Sequence, residues 1–309
     1  MNGEPLWESV DLRDDGLVLR VMQPTDTRAL ALALVGSQAT ARRVLARGQL
    51  RSNGAVLRHD ERLAAGSLVE LPFHRADAQA SQDPSLPDAV RVVYQDPVLL
   101  AVDKPAGLLV HGDGTGADTL AARVRAHLAC EGRPPVAQAV QRLDVETTGL
   151  VLFSLTEEFQ PALDAQVAGH DMRKRYLAVT RGRLPVAPGE WLHVDEPIAR
   201  DRHDARRMRV ARSGKPARTQ VRELRCEQGL SLLLVELLTG RRHQIRVHLA
   251  HMGCPLLGDG LYGGPRHDGG LMLHAWEERL MHPVTGERLH LRTDVPDRFV
   301  RLFGEEPFA

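Results

Sequence analysis

The chain has 309 residues, 43% of them hydrophobic, which is enough for one large or two ordinary domains with packed cores and excludes a disordered or fibrous chain. Its 40 basic and 40 acidic residues cancel to zero formal charge, so no overall basic excess advertises a nucleic-acid partner. No apolar run reaches the roughly 20 residues that span a bilayer, and Cys130, Cys226 and Cys254 are too scattered for a disulfide framework or a thiolate zinc site. The opening MNGEP lacks a signal-peptide pattern, so the expectation is a cytoplasmic protein with no membrane segment. Lysine occurs only at Lys104, Lys174 and Lys215, the other basic residues being arginine. Codon bias explains that first, and a need for planar forks that grip phosphate second.

In chain order, a helix is expected over 40–48, stopped by Gly48 because glycine accepts the left-handed conformation that closes a helix. Asn53 and Gly54 then give the strongest short hairpin signal, between 49–52 and 55–57. Arg43 and Arg47, four apart, share a helix face, with Arg42, Arg51 and Arg58 around it. Taken alone, these arginines read as a solvated face. The whole string from Ala41, ARRVLARGQLRSNGAVLRHDERLAAGSLVEL, nevertheless resembles the S-four-like RNA-binding motif, with its leading helix at 27–35. That resemblance implies an RNA-binding domain over 1–75 in which Arg42, Arg43, Arg47 and Arg51 meet RNA. Residues 76–87, ADAQASQDPSLP, lack periodicity and read as a linker to a second domain over 88–309.

Beyond the linker, apolar runs at 90–94 and 98–102 flank a turn at Gln95, Asp96 and Pro97, and further strands are expected at 150–155, 176–180, 219–224 and 230–238. Helices are expected at 119–129, 159–167 and 245–252. Strands in hairpin-like succession with irregular helices argue for an α+β fold with a mixed, largely antiparallel sheet.

Gly112, Gly114 and Gly116 do not make a phosphate loop, having neither G-x-G-x-x-G nor a Gly-Lys-Ser/Thr ending. His243, His248 and His251 lack H-E-x-x-H or a nearby cysteine pair, so no metal is expected. G-x-S-x-G and the zinc-deaminase pattern are also missing. What remains is Asp144 in QRLDVETTG at 141–149, an acid at the mouth of the apolar strand LVLF, where hydroxyls and backbone amides are expected to keep it ionised. By itself it fits a capping aspartate equally well.

Its company decides the matter. LTGRRHQIRVHLAH at 238–251, GCPLLGD at 253–259 and LYG at 261–263 join VDKPAGLLVH at 102–111, RKRYLAV at 173–179, LHA at 273–275 and HPVTGE at 282–287. In order and spacing, from Val90 to Glu287, these blocks resemble the RluA-type pseudouridine synthases. The resemblance implies an isomerase that breaks the bond from ribose C1′ to uracil N1, turns the retained base and joins C1′ to C5, with no cofactor.

It also implies the site. Asp144 is the essential carboxylate, either nucleophile at C1′ or base at the ribose 2′ hydrogen, and Arg246 grips it through two parallel hydrogen bonds. Tyr176, 32 positions after Asp144, stacks on the uracil and is a candidate to assist proton removal from C5. Arg142 fills the gap left by the flipped nucleotide, while Thr148, His243 and Gln244 touch the substrate. The chain departs from the family pattern at Gln141, where histidine is usual, and at Thr148, where serine is usual. Within the arginine-rich stretch 200–225, Arg206, Arg207 and Arg209 are expected at RNA phosphates. The combined expectation is a monomer acting on structured ribosomal or transfer RNA. A noncatalytic RNA-binding or ribosome-assembly factor that retains the fold is the alternative.

Overall fold

A computed structural model describes residues 5–58, 60–74, 90–112, 118–185, 187 and 189–308. The expected linker at 76–87 and most of the glycine loop at 112–116 lie outside the described residues.

The N-terminal region is a five-stranded sheet in the order Trp7–Arg13, Gly16–Val21, Leu68–Pro72, Arg51–Ser52, Ala55–Val56, with the helices Thr27–Val35 and Gln38–Ala46. Each helix starts on a side-chain cap, Asp26 accepting from the amide of Ala29 and Ser37 from that of Thr40. The second helix therefore begins two residues before the expected 40, at its serine cap. Asn53 and Gly54 have φ of 49° and 78°, the double positive value that a tight hairpin turn requires.

The larger sheet has ten strands. Its main path runs Trp191–Asp195, Arg218–Glu227, Leu230–Leu237, Arg173–Arg181, Leu273–Met281, Thr148–Ser154, Leu99–Lys104, Arg91–Gln95. Among the described residues, only Thr148–Ser154 against Leu273–Met281 pairs parallel in this sheet, so it is mixed and largely antiparallel as expected. The central strands are buried on both faces, which is why they read as unbroken apolar runs. Leu150 and Leu152 join one core cluster while Val151 and Phe153 join another on the opposite face. Leu233 and Val235 divide from Leu232 and Leu234 in the same way.

One core cluster continues from Leu17, Leu30 and Leu71 of the N-terminal region to Leu99 and Leu150 of the larger sheet and Phe159 at the start of the helix Gln160–Gly169. The join carries an edge-to-face Phe73–Phe159 pair and a buried Glu158, which accepts bonds from Gln49 Nε2 and the amide of His74. Arg47, expected at RNA, forms an exposed ion pair with Glu157 at 3.2 Å.

Candidate active site

The parallel pair sets the geometry of the site. Gly149 lies opposite Ala275, which in turn lies opposite Tyr176, so the loop before Thr148 and the tyrosine come two strand spacings apart, about 10 Å. Gly149 has φ of 109°, and a Cβ there would lie 2.1 Å from the carbonyl oxygen of Ala275. Only glycine admits this approach.

The loop that carries Asp144 is anchored from below by Lys104. This lysine is fully buried, and its ammonium donates to the carbonyls of Pro105, Leu108 and Val145 at 2.8, 2.9 and 2.9 Å. Burial pushes its pKa down to about 8, against the opposing pull of Glu146 and Asp144. The third bond ends on the residue next to Asp144, so the lysine fixes where that carboxylate sits.

On the other wall, the helix Gln244–His251 carries Arg246, which is 8% exposed. Its guanidinium does not grip Asp144 with two parallel bonds. The fork goes to Asp259, with Nε to Oδ2 and Nη2 to Oδ1 both at 2.8 Å, and one further N–H, from Nη1, reaches Asp144 Oδ2 at 3.3 Å. Burial works against the charge of Arg246, but the bonds and charge of Asp259, with Asp144, raise its pKa above the ordinary value. Asp259 stands within the block GCPLLGD, yet its partner is 13 positions away across a turn, and no local pattern indicates the pair.

His243 caps that helix with φ of 55°, a left-handed conformation rare outside glycine. The amide of Met208 donates to the Tyr262 hydroxyl, which lies 2.8 Å from His243 Nδ1, while His243 Nε2 faces Asp144 Oδ1 at 3.8 Å. With the hydroxyl proton spent on Nδ1, the ring proton is assigned to Nε2, toward the carboxylate. Burial lowers the pKa of His243, only partly opposed by Asp144. No hydroxyl or backbone amide bonds the Asp144 carboxylate among the described residues; the arginine replaces that expected environment.

These groups line a cleft of about 300 Å³ that includes Gln141, Arg142, Asp144, Lys174, Tyr176, His243 and Arg246. Arg142 is exposed at this cleft, while Tyr176 is buried, its phenol pushed above its ordinary range by burial and by the charges of Glu278 and Asp144.

Two expected substrate contacts are spent inside the protein. Thr148 turns away from the cleft, its hydroxyl lying 2.7 Å from His274 Nδ1 and accepting from Arg298 Nη2 at 2.6 Å. Gln244 accepts from the Thr239 hydroxyl and the Arg241 amide and donates to the Arg218 carbonyl and the Thr219 hydroxyl, which uses all of its amide. It braces the loop rather than offering a free group. His248 is likewise held between Thr219 and the Glu196 carbonyl, a packing role.

Around the rim, the strands Ile198–Arg200 and Met208–Val210 pair as a hairpin, and Arg242 ties it to the cleft by donating to the Arg206 carbonyl. Arg206 pairs with Asp204, Arg207 lies over the Tyr262 ring at 5.4 Å, and Arg209 is half-buried. In the N-terminal region Arg42, Arg43, Arg47 and Arg51 are all exposed.

The sequence pattern of the RNA pseudouridylate synthases matches residues 98–251. The chain is 37% identical over 252 residues to ribosomal large subunit pseudouridine synthase D of Nitrosomonas europaea, covering 78% of this chain and 70% of that relative. To the protein of the same name from Pseudomonas aeruginosa it is 34% identical over 278 residues, with 82% and 83% covered. The solved structure of human RNA pseudouridylate synthase domain containing 4 superposes with a TM-score of 0.56 at 25% identity, covering 70% of this chain and 92% of that one. No helix among the described residues is long and apolar enough to cross a membrane. The chain belongs to the RNA pseudouridylate synthases of the RluA type, isomerases that convert uridine in RNA to pseudouridine.

Proposed function

We propose that this protein isomerises uridines of large-subunit ribosomal RNA, with Asp144 as the group that attacks C1′ or takes the ribose 2′ hydrogen. The observation that carries the reading is the unequal binding of one guanidinium. Arg246 is locked to Asp259, and Asp144 receives a single bond at 3.3 Å with its side chain 24% exposed at the cleft. An anionic oxygen so placed stabilises positive charge developing at C1′ while remaining free to move onto it. The large-subunit substrate is favoured over transfer RNA by the two relatives, both ribosomal large subunit pseudouridine synthases.

The target uridine swings out of its helix into the cleft, and Arg142 fills the vacated space. Tyr176 acts through its ring, against which the detached base turns. C1′–N1 breaks, C1′–C5 forms, and the proton on C5 is lost as N1 takes one up. His243 keeps its Nε2 proton toward Asp144 and stays neutral. Residues 1–75 act as an S-four-like module whose Arg42, Arg43 and Arg51 meet RNA backbone, joined at the rim by Arg207 and Arg209.

Pseudouridine maps of total RNA from cells with and without the gene test this, with complementation by wild type or Asp144→Asn. Large-subunit sites that vanish on deletion, return with wild type and stay absent with the variant are expected. Sites restored by Asp144→Asn would leave a noncatalytic RNA-binding role.

A further inference from the structure

We propose that the ammonium of Lys174 donates a hydrogen bond to a carbonyl oxygen of the flipped uracil, steadied from behind by the buried carboxylate of Glu278. This rests on the synthase reading above and adds a substrate-contacting residue to it.

Lys174 lines the same cleft as Asp144 and Tyr176. It stands two residues before Tyr176 on the strand Arg173–Arg181, and the two lie opposite Leu237 and Val235 of the next strand without a break in register. Side chains two apart on a strand share a face, so the ammonium stands on the side where the tyrosine ring meets the base. Among the described residues this ammonium makes no hydrogen bond or close ion pair. It carries three donors, and the interior of the protein uses none of them.

Glu278 explains why a cation stands there. It lies directly across from Lys174 on the neighbouring strand, is 2% exposed, and receives one hydrogen bond from Gln141 Nε2. Burial pushes the Glu278 carboxyl up to about 7, and Lys174, with the Gln141 bond, is the cation that pulls it back toward its charged form. With Glu278 ionised the pair is neutral overall. A balanced ammonium with free N–H groups suits a neutral carbonyl dipole better than a phosphate, for which the unbalanced Arg142, Arg241 and Arg242 of the cleft are better placed. Gln141, where the family commonly has histidine, completes the arrangement by orienting the carboxylate.

The chemistry of the base gives the contact its use. Turning uracil half a revolution about its N3–C6 axis exchanges N1 with C5, and it also exchanges O2 with O4. A donor beside one carbonyl before the turn therefore faces the other afterwards, and the detached ring stays in register while its reacting edge changes.

The test uses the full-length protein and a synthetic RNA stem-loop containing its mapped target as uridine, 2-thiouridine or 4-thiouridine, since sulfur is a weaker acceptor than oxygen. Single-turnover isomerisation by wild type is expected to slow on at least one thio substrate. Lys174→Met is expected to slow the uridine substrate on the order of 10- to 100-fold, the loss of one charge-assisted hydrogen bond, and to lose the thio sensitivity. RNA affinity and its salt dependence should be unchanged. The double variant Lys174→Met with Glu278→Gln removes the buried unpaired charge and should behave alike. An equal thio effect in wild type and variant, or none in wild type, overturns the contact. Weaker RNA binding with a salt slope reduced by about one would instead make Lys174 a phosphate ligand. If wild type converts no uridine in any large-subunit RNA, the synthase reading fails first; if it converts and the variants keep pace, only this inference falls.

Discussion

Asp144 and Asp259 share one arginine and end in opposite conditions. The Asp259 side chain is 0% exposed and takes two guanidinium bonds at 2.8 Å together with the amides of Leu261 and Tyr262 at 3.2 Å. Every direction in which it could move is occupied. Asp144 is open to the cleft and holds one longer bond to the same guanidinium. One carboxylate is structural scaffolding for the arginine, and the arginine then aims the other without immobilising it. A single guanidinium with five donors can do both because its planar fork presents separate edges.

The largest effect that tests this contrast is on rate. Asp144→Asn keeps the shape and removes the charge, so single-turnover isomerisation should fall by about 1000-fold or more, as when a catalytic group is removed. Stability should change by less than about 1 kcal/mol, because the pair is partly exposed and its one bond is long. Asp259→Asn should reverse the pattern. It strands a buried guanidinium, for which the loss is about 3–5 kcal/mol in denaturant unfolding, with a smaller rate loss following from the loosened Arg246. Equal stability losses in the two variants would break the division of labour.

The sequence made the first half of this contrast legible and hid the second. Asp144, Arg246 and Tyr176 stand in blocks whose spacing carries them, and the cleft does collect all three. Asp259 was visible only as part of a block, because its role depends on a turn that folds it back under the helix Gln244–His251. Thr148 and Gln244 were hidden for the opposite reason: residues beside a site look alike in sequence whether they turn away, as Thr148 does, or line the cleft with their polar groups already spent, as Gln244 does. A β-strand alternates faces, and the first residue of Thr148–Ser154 faces His274 rather than the cleft. The α+β class was readable because doubly buried strands are long apolar runs. Docking of the N-terminal region was not, since it depends on single contacts such as Gln49 with Glu158.

His274, at the closed end of the same loop, offers a pH test of how tightly that end is packed. It is 0% exposed between Thr148 and Thr293, and burial, helped by Arg298, holds its pKa down at about 3. The unfolded chain takes up a proton here from about pH 6.5, while the native state does not. Its contribution to stability is thus present above that pH and is lost as pH falls toward 3, at about 1.4 kcal/mol per pH unit. The stability deficit of His274→Gln relative to wild type should therefore shrink between pH 6.5 and 4 in urea titrations. A constant difference would mean that His274 is protonated in the native state.

The smallest effect belongs to Tyr262→Phe. The hydroxyl receives the Met208 amide and meets His243 Nδ1, whereas the ring serves as a platform for Arg207 at 5.4 Å and Arg246 at 5.2 Å. Phenylalanine keeps the platform and removes the two bonds, so unfolding should cost about 1 kcal/mol less than in wild type. Asp259 and its fork are untouched, and Arg246 stays in place. Losing the hydroxyl frees the His243 tautomer, so the Nε2 proton no longer always faces Asp144, and the isomerisation rate should drop roughly 2- to 10-fold, as expected for one modest hydrogen bond. A drop as large as that of Asp144→Asn would make the tyrosine–histidine chain part of the chemistry itself, and Asp144 would then need more than Arg246 to aim it.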